Sequence, residues 1–559
     1  MSIHFSDDGL TVHIRNTSVS YVMQAVDGKY LVQRYFGKAV RSYHGCGKPW
    51  YYKRGYTTEH ECSIPNISFD DFPFEYPTRG YGDYRIPAFA ITQESGIEFV
   101  KLLFKGWKIL EDKPGLIGLP ATFAGKDEAE TLEVICEDET AGVRVYLYYT
   151  LFRDRGILAR SQKVENIGNQ TLKLQNIQSI SLELPSGEYD VLSLYGTHAK
   201  EGNISRSLLQ HGIWRIESVR GSSSSQHQPF FALMAPQTTE NSGAVYGFHL
   251  IYSGNFLAQV ETDQFGSVRA QIGLNPDMFC WKLAPGENFY APEAILNYSS
   301  KGLNGMSQNF HWLYQHHLMP ARFADRERPV LLNSWEAMYY DVSLEKLEEQ
   351  AEQAKGLGVE LFVLDDGWFR ADNSSQTSMG DWECNQQKLP GGIERAAELI
   401  HSKGMQFGLW FEPEAVCKNS SLYREHSEWV LQVPGYEITE GRHEYLLDLS
   451  RKEVREYVIS KLDSYLGSGQ IDYVKWDMNR PLTEVNSLAL PKEQKKEIGH
   501  RYILGLYEIL DMITRRYPKV LMEGCSSGGA RFDPGMLYYV AQNWCSDNTD
   551  AFDRTQIQS

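Results

Sequence analysis

The chain has 559 residues, 42% of them hydrophobic and 23% charged, with a net charge of −17. Such a length exceeds what one hydrophobic core organises, so two or more domains are expected. The acidity excludes partners that need a basic footprint, nucleic acid and anionic lipid, and leaves a neutral substrate as the default.

The opening stretch "MSIHFSDDGLTVHIRN" has no basic segment followed by an apolar run, so no secretory signal is read there. No window is apolar enough for a membrane span. The eight cysteines (Cys46, Cys62, Cys136, Cys280, Cys384, Cys417, Cys525 and Cys545) show no paired spacing. That pattern fits free thiols in a reducing cytoplasm. Aromatic content is high at 13%, which serves either a carbohydrate site or a large β-domain.

Residues 1–305 read as β. "VRVYLYYTLF" (143–152) and "QSISLEL" (178–184) alternate and are rich in β-branched and aromatic residues. Turn clusters such as "NIGNQ" and "LPSGEYD" separate such runs, so an N-terminal antiparallel β-sandwich is expected. Residues 306–329 form a connecting helix; His311, His316 and His317 lie there, read as helix residues rather than metal ligands.

From 330 to 559 short apolar strands alternate with helical patterns. "VLLNSW" precedes a helix from Ser343, and "ELFVLDDGW" precedes the helix "IERAAELIHSKG", closed by Gly404. "MQFGLWFEPE" follows. "LDLSRKEVREYVISKLDSYL" opens a helix at Ser450 with Glu453 three residues on, a capping box. Then come "DYVKWDMN", a long helix over 494–516, "KVLMEGCSS" and "YYVAQNWCSD". This order predicts a parallel sheet of the (β/α)8 barrel type. Nucleotide-binding glycine motifs are absent, and no cofactor or metal is implied.

The strands stay apolar until their C-terminal ends, which deliver Trp335 and Glu336, Asp365 and Asp366, Trp410 and Glu412, Lys475 and Asp477, Glu523 and Cys525, then Trp544 and Asp547. Barrel chemistry sits at that end. One such aspartate is readily a helix cap; the recurrence on successive strands points to a site. Lys475 and Asp477, two apart, face the same way, with Trp476 turned away. The lysine lowers the aspartate's pKa and suits it to be a nucleophile or electrostatic anchor. Asp547, in an aromatic and poorly solvated setting, keeps a proton, and the two form the pair that cleaves glycosidic bonds. Asp365 and Asp366 suit two hydroxyls of one sugar. Trp335 and Trp410 offer apolar faces to a pyranose, and "CSSGG" (525–529) lets backbone approach a ligand.

At this point the chain resembles the α-galactosidases of glycoside hydrolase family 36. The resemblance rests on "LLNSWEAMYYDVS", "FVLDDGWF", "DWECNQQKLPGGI", "GLWFEPEAV", "DYVKWDMNR", "EGCSSGGARFDPG" and "QNWCSDNTDAFDR" in order, and on "FDDFPFEYPTRGYGDYRIPAF" (69–89) in the first half. It implies retaining hydrolysis of terminal α-1,6-galactosides such as melibiose and raffinose. Asp477 would be the nucleophile and Asp547 the acid/base. Asp365, Asp366, Trp410, Arg442, Lys475, Cys525 and Trp544 would line the galactose subsite, with Trp335 beside them. Asp550 and Asp553 compete with Asp547; Asp550 is the better cap for a following helix. Family members are often tetramers in which an N-terminal loop approaches a neighbour's site, and 69–89 is the segment to inspect, an ordinary sandwich loop being the other reading.

Relatives continue past "AFDRTQIQS" to finish the barrel and add a C-terminal β-domain, so that domain and the last one or two barrel strands are expected to be missing, with six or seven strands present depending on "YLLDLS" (445–450). An unclosed barrel leaves an unpaired edge. Alternatives to the hydrolase are a galactosyl transferase of the raffinose-synthase kind, an inactive sugar-binding fragment, and an enzyme for a sugar with an acetamido group at C2.

Overall fold

The computed structural model describes residues 2–43, 58, 68–80 and 82–558. Two compact units emerge. The first comprises Met1–Tyr195, Asn203–Val219 and His227–Leu318; the second comprises Gly196–Gly202, Arg220–Gln226 and Met319–Ser559. Cys46 and Cys62 lie outside the described residues; Cys136, Cys384, Cys417, Cys525 and Cys545 carry free thiols. No helix among the described residues is long and apolar enough to cross a membrane.

The first unit is built on antiparallel sheets, as its alternating runs predict. A four-stranded meander runs from Ser2–Phe5 to Tyr30–Lys38, and Leu172–Leu184 pairs with Val268–Leu274 in a second sheet. A third, ten-stranded sheet contains Ala129–Asp138, Val143–Phe152 and Ile157–Asn166, paired in sequence order. Along Val143–Phe152 the first half alternates buried with partly exposed residues, while the second half is buried throughout.

Residues 69–80 and 82–89 are pinned within this unit by two buried ionic networks. Glu75 accepts from the hydroxyls of Tyr21 and Tyr149, each at 2.7 Å, and pairs with Arg160 at 2.9 Å. Burial pushes the Glu75 carboxyl up, and Arg160 limits the rise. Asp83 pairs with Arg85 at 3.0 Å and Arg269 at 2.5 Å, and Arg269 reaches Glu183 at 2.6 Å. Buried charges are tolerable only when paired in this way. Tyr84, between them, is exposed. The helix Gly302–His317 closes the unit with Met306, Phe310 and Leu313 buried. Its histidines go separate ways: His317 Nδ1 bonds the Phe123 carbonyl, His316 Nδ1 the Trp312 carbonyl, and His311 bonds Ser307.

The second unit carries six parallel strands that neighbour one another in chain order: Leu331–Asn333, Leu361–Leu364, Gln406–Phe411, Tyr473–Trp476, Leu521–Gly524 and Gln542–Asn543. The sheet is a curled part-barrel, open among the described residues. Helices Leu344–Gly356, Gly392–Ser402, Lys452–Leu466 and Ile498–Arg516 intervene. Ser343 caps the first through the Lys346 amide, and Leu347, Ala351 and Ala354 form its buried stripe. Gly404, at φ +85°, turns the chain out of the second.

Three local readings are corrected. The capping box at Ser450 does not form: the Ser450 hydroxyl bonds Asp448 at 2.5 Å, the helix starts at Lys452, and Glu453 pairs with Arg451. Asp448, fully buried in the preceding loop, wins the serine. "YLLDLS" supplies no barrel strand, because Glu444–Leu446 pairs antiparallel with Ala415–Cys417. Of the expected strand "YYVAQNWCSD" only Gln542–Asn543 pairs, opposite Glu523 and Gly524.

Candidate active site

Parallel register puts Trp410, Lys475 and Glu523 side by side on adjacent strands. Residues directly opposite one another share a face of the sheet. Trp476, on the other face, donates its indole N–H to Glu414 at 2.9 Å, while Glu414 is held by Arg531 at 2.7 Å and the Tyr502 hydroxyl at 2.8 Å. A buried, fully paired carboxylate thus braces the strand whose other side carries Lys475.

Lys475 donates to Asp365 Oδ2 at 2.9 Å, and Asn333 donates to the same oxygen at 2.6 Å. The direct partner of the lysine is therefore Asp365 on the second strand, not Asp477. It still acts on Asp477 through space. Burial pushes the Asp477 carboxyl up, but Lys475 and Arg442, with bonds from Asn479 and the Cys525 thiol, hold it below the usual carboxylate range. Trp410 Nε1 donates to Asp477 Oδ2 at 3.2 Å. Burial works against the charge on Lys475, yet Asp365, Cys525, Asp477 and Glu523 raise its pKa well above normal. Cys525 is pushed up by burial and by Asp477, so it stays a thiol.

Asp366 is clamped by Arg370 through both oxygens, at 2.9 and 2.8 Å. Arg442 approaches it at 3.8 Å and Glu444 at 3.9 Å. Arg442 and His443 both adopt positive φ, 53° and 65°, which costs a non-glycine residue energy and marks a chain held against its preference. Glu412 accepts from the Asn479 amide at 2.6 Å and its side chain at 2.7 Å. Burial pushes the Glu412 carboxyl up to about 7, with Arg442 opposing and Asp477 adding to the rise. Glu444 is fully buried, and neither carboxyl oxygen receives a hydrogen bond among the described residues. Burial and Glu412 push its pKa far up.

Asp547 differs from expectation. Its side chain is 38% exposed, not shielded by apolar neighbours. Trp544 Nε1 donates to Oδ1 at 2.9 Å, and His198 Nε2 lies 2.9 Å from Oδ2. The loop ends on the fifth-strand side through glycine: a Cβ on Gly528, at φ +79°, would sit 2.8 Å from the Asp547 amide nitrogen. The "CSSGG" turn is thus small to admit backbone, but the backbone admitted is that of the Asp547 loop. Asp550 accepts from Phe552 and Asp553 amides and caps Ala551–Ile557, as its spacing predicts.

The tryptophans divide. Trp410 is 1% exposed, stacked 6.3 Å from Phe369, so its ring face is unavailable and it serves through its N–H edge. Trp335 sits on the short helix Trp335–Met338, half-buried, edge-on to Tyr339 and Tyr340. Trp544 is half-buried, with the Arg554 guanidinium 4.1 Å from its ring centre. The structure therefore links Asp365, Lys475, Asp477, Cys525, Trp410, Arg442 and Asp366 in one contact network. Trp544 bonds Asp547, whose charge adds to the rise in the Cys525 pKa.

Residues 29–284 match the glycosyl hydrolase family 36 N-terminal domain, and residues 288–559 match melibiase. The chain is a member of glycosyl hydrolase family 36. It is 46% identical over 559 residues to the α-galactosidase AgaA of Geobacillus stearothermophilus, covering 100% of this chain and 77% of that one. The crystal structure of the α-galactosidase AgaB from the same organism superposes with a TM-score of 0.97 at 46% identity, again covering 100% of this chain and 77% of that one. An AgaA variant in complex with raffinose superposes with a TM-score of 0.96 at 46% identity, covering 98% and 76%.

Within this family 36 site the sequence did not flag Arg370, Glu414, Glu444, Asn479 or His198, and it placed Glu412 on the rim without a role. Asn479 lies two residues beyond Asp477 and joins Glu412 to Ser527, which donates to its side-chain oxygen at 2.8 Å. The i, i+4 spacing of Asp366 and Arg370 was a usable signal. His198, almost 350 positions from Asp547, left none.

Proposed function

We propose that the chain is an α-galactosidase releasing terminal non-reducing α-1,6-linked galactose from melibiose, raffinose and related galacto-oligosaccharides by double displacement. The observation that carries the reading is the Asp477 carboxylate, buried yet held ionised by Lys475 and Arg442. Asp477 attacks C1 while the bond from C1 to the leaving oxygen breaks and Asp547 gives its proton to that oxygen. Water then attacks C1, Asp547 takes the proton, and the bond to Asp477 breaks. Asp365, Asp366, Arg442, Lys475 and Cys525 hold the galactose hydroxyls, and Trp335 and Trp544 flank the ring. Raffinose bound to the similar AgaA supports the substrate class. Relatives at this identity are α-galactosidases, which weighs against the transferase reading. A cytoplasmic enzyme fits the free thiols of Cys136, Cys384, Cys417, Cys525 and Cys545, and a homotetramer follows from the family resemblance, checked by light scattering.

Asp477→Asn tests the role directly. It removes the nucleophilic charge while keeping shape, so turnover of melibiose should fall by about 10³-fold or more with the thermal midpoint little changed. A slow fluorinated galactosyl substrate should label the Asp477 peptide. Turnover near the parent level, or a label elsewhere, removes Asp477 from the role.

A further inference from the structure

The turn His198–Ala199 is laid along the Asp547 loop by three bonds. His198 Nε2 lies 2.9 Å from Asp547 Oδ2, the Asn548 side chain donates to the Ala199 carbonyl at 3.1 Å, and Ser546 donates to Glu201 at 2.6 Å. Ala199, at φ 61°, pays the strain of a tight turn, and its amide is held by Glu201 at 3.2 Å. The arm Gly196–Gly202 belongs to the second unit, with the residues it touches.

We propose that His198 is a positioning residue for proton transfer by Asp547; this rests on the reading of Asp547 as the acid/base. An indole N–H only donates. Oδ1, which accepts from Trp544, is therefore the oxygen without the proton, and the acid's hydrogen belongs on Oδ2. Imidazole suits both states of that oxygen. With hydrogen on Nε2 it donates to one lone pair of Oδ2 in both states, and the other lone pair carries the proton that passes to the leaving oxygen. The carboxyl thus cycles between acid and base without turning. Other ionisable groups around the pair are Glu201 on the same arm, Cys525 at the fifth strand, Glu336 through Thr549, Asp553 through Asn548, Asp550, and Arg554 over Trp544.

The test compares the whole chain with His198→Ala, His198→Gln and Asp547→Asn on melibiose and on 4-nitrophenyl α-galactoside, whose leaving group needs little protonation. His198→Ala should lose about tenfold more kcat/KM on melibiose than on the nitrophenyl substrate, and the alkaline limb of its melibiose pH profile should move. His198→Gln, whose side-chain N–H replaces the Nε2 donor, should restore most of the loss. Equal loss on both substrates, no loss on either, or no rescue by glutamine overturns the proposal. If Asp547→Asn keeps melibiose turnover, the acid/base reading fails and this proposal fails with it, an outcome visible without the His198 variants.

Discussion

Glu412 shows how one side chain sets a pH dependence. Burial raises its carboxyl to about 7, against about 4.3 for an exposed glutamate. Between those values the native state holds a proton that the unfolded chain has released. Stability therefore falls as pH rises through this window, and the full penalty is present above it. Asp477 has the opposite sign: its pKa lies below the ordinary value, so its contribution is present above that value and lost only in stronger acid. Comparing thermal unfolding at about pH 5 and about pH 7.5, Glu412→Gln should lose less stability on going to the higher pH than the parent, by on the order of 3 kcal/mol. Parallel behaviour of the two proteins would assign the raised proton elsewhere, with Glu444 the first candidate because burial raises it too.

At the scale of elements, the 525–529 turn decides where Asp547 stands. Gly528 occupies the left-handed region, and a methyl there would meet Asp547 N at 2.8 Å and Ser546 Cα at 2.9 Å. Both are backbone atoms of one loop, so the loop must move. Gly528→Ala should cost about 1–3 kcal/mol and lower kcat/KM on melibiose, read by calorimetry and initial rates. A variant as active and as stable as the parent would show that the turn does not hold the loop. Elements of this unit were legible wherever one chemical signal dominated locally. Apolar runs marked the parallel strands, and Ser343 marked a helix start. Legibility failed where a distant partner decided the outcome. Asp448 took the serine of a well-formed capping pattern, and Glu444–Leu446 found an antiparallel partner at Ala415–Cys417. Trp410 read as offering a ring face because nothing local announced that it would be buried against the Phe369 ring.

Across the whole molecule, alternation separated a β half from a β/α half, and the polar ends of successive strands pointed to one candidate rim, because a parallel sheet must open all its strands onto one side. The protonation pattern was less legible, since it arises from burial and from charges on other strands. Net charge is a property of the entire chain, and its consequence is kinetic. A charge of −17 repels anions from a distance, but a neutral galactoside has no charge for that field to act on. The cations that hold the acids, Lys475 and Arg370, are buried against Asp365 and Asp366, where salt screens poorly. The kcat/KM for melibiose should therefore change less than about twofold between about 20 mM and about 500 mM sodium chloride. An aryl galactoside bearing a carboxylate on its leaving group should gain over the same range, because added ions screen the repulsion it meets on approach. If melibiose turnover instead followed salt as steeply as the anionic substrate, long-range repulsion would not be the cause, and salt would have to act on the fold or the assembly state.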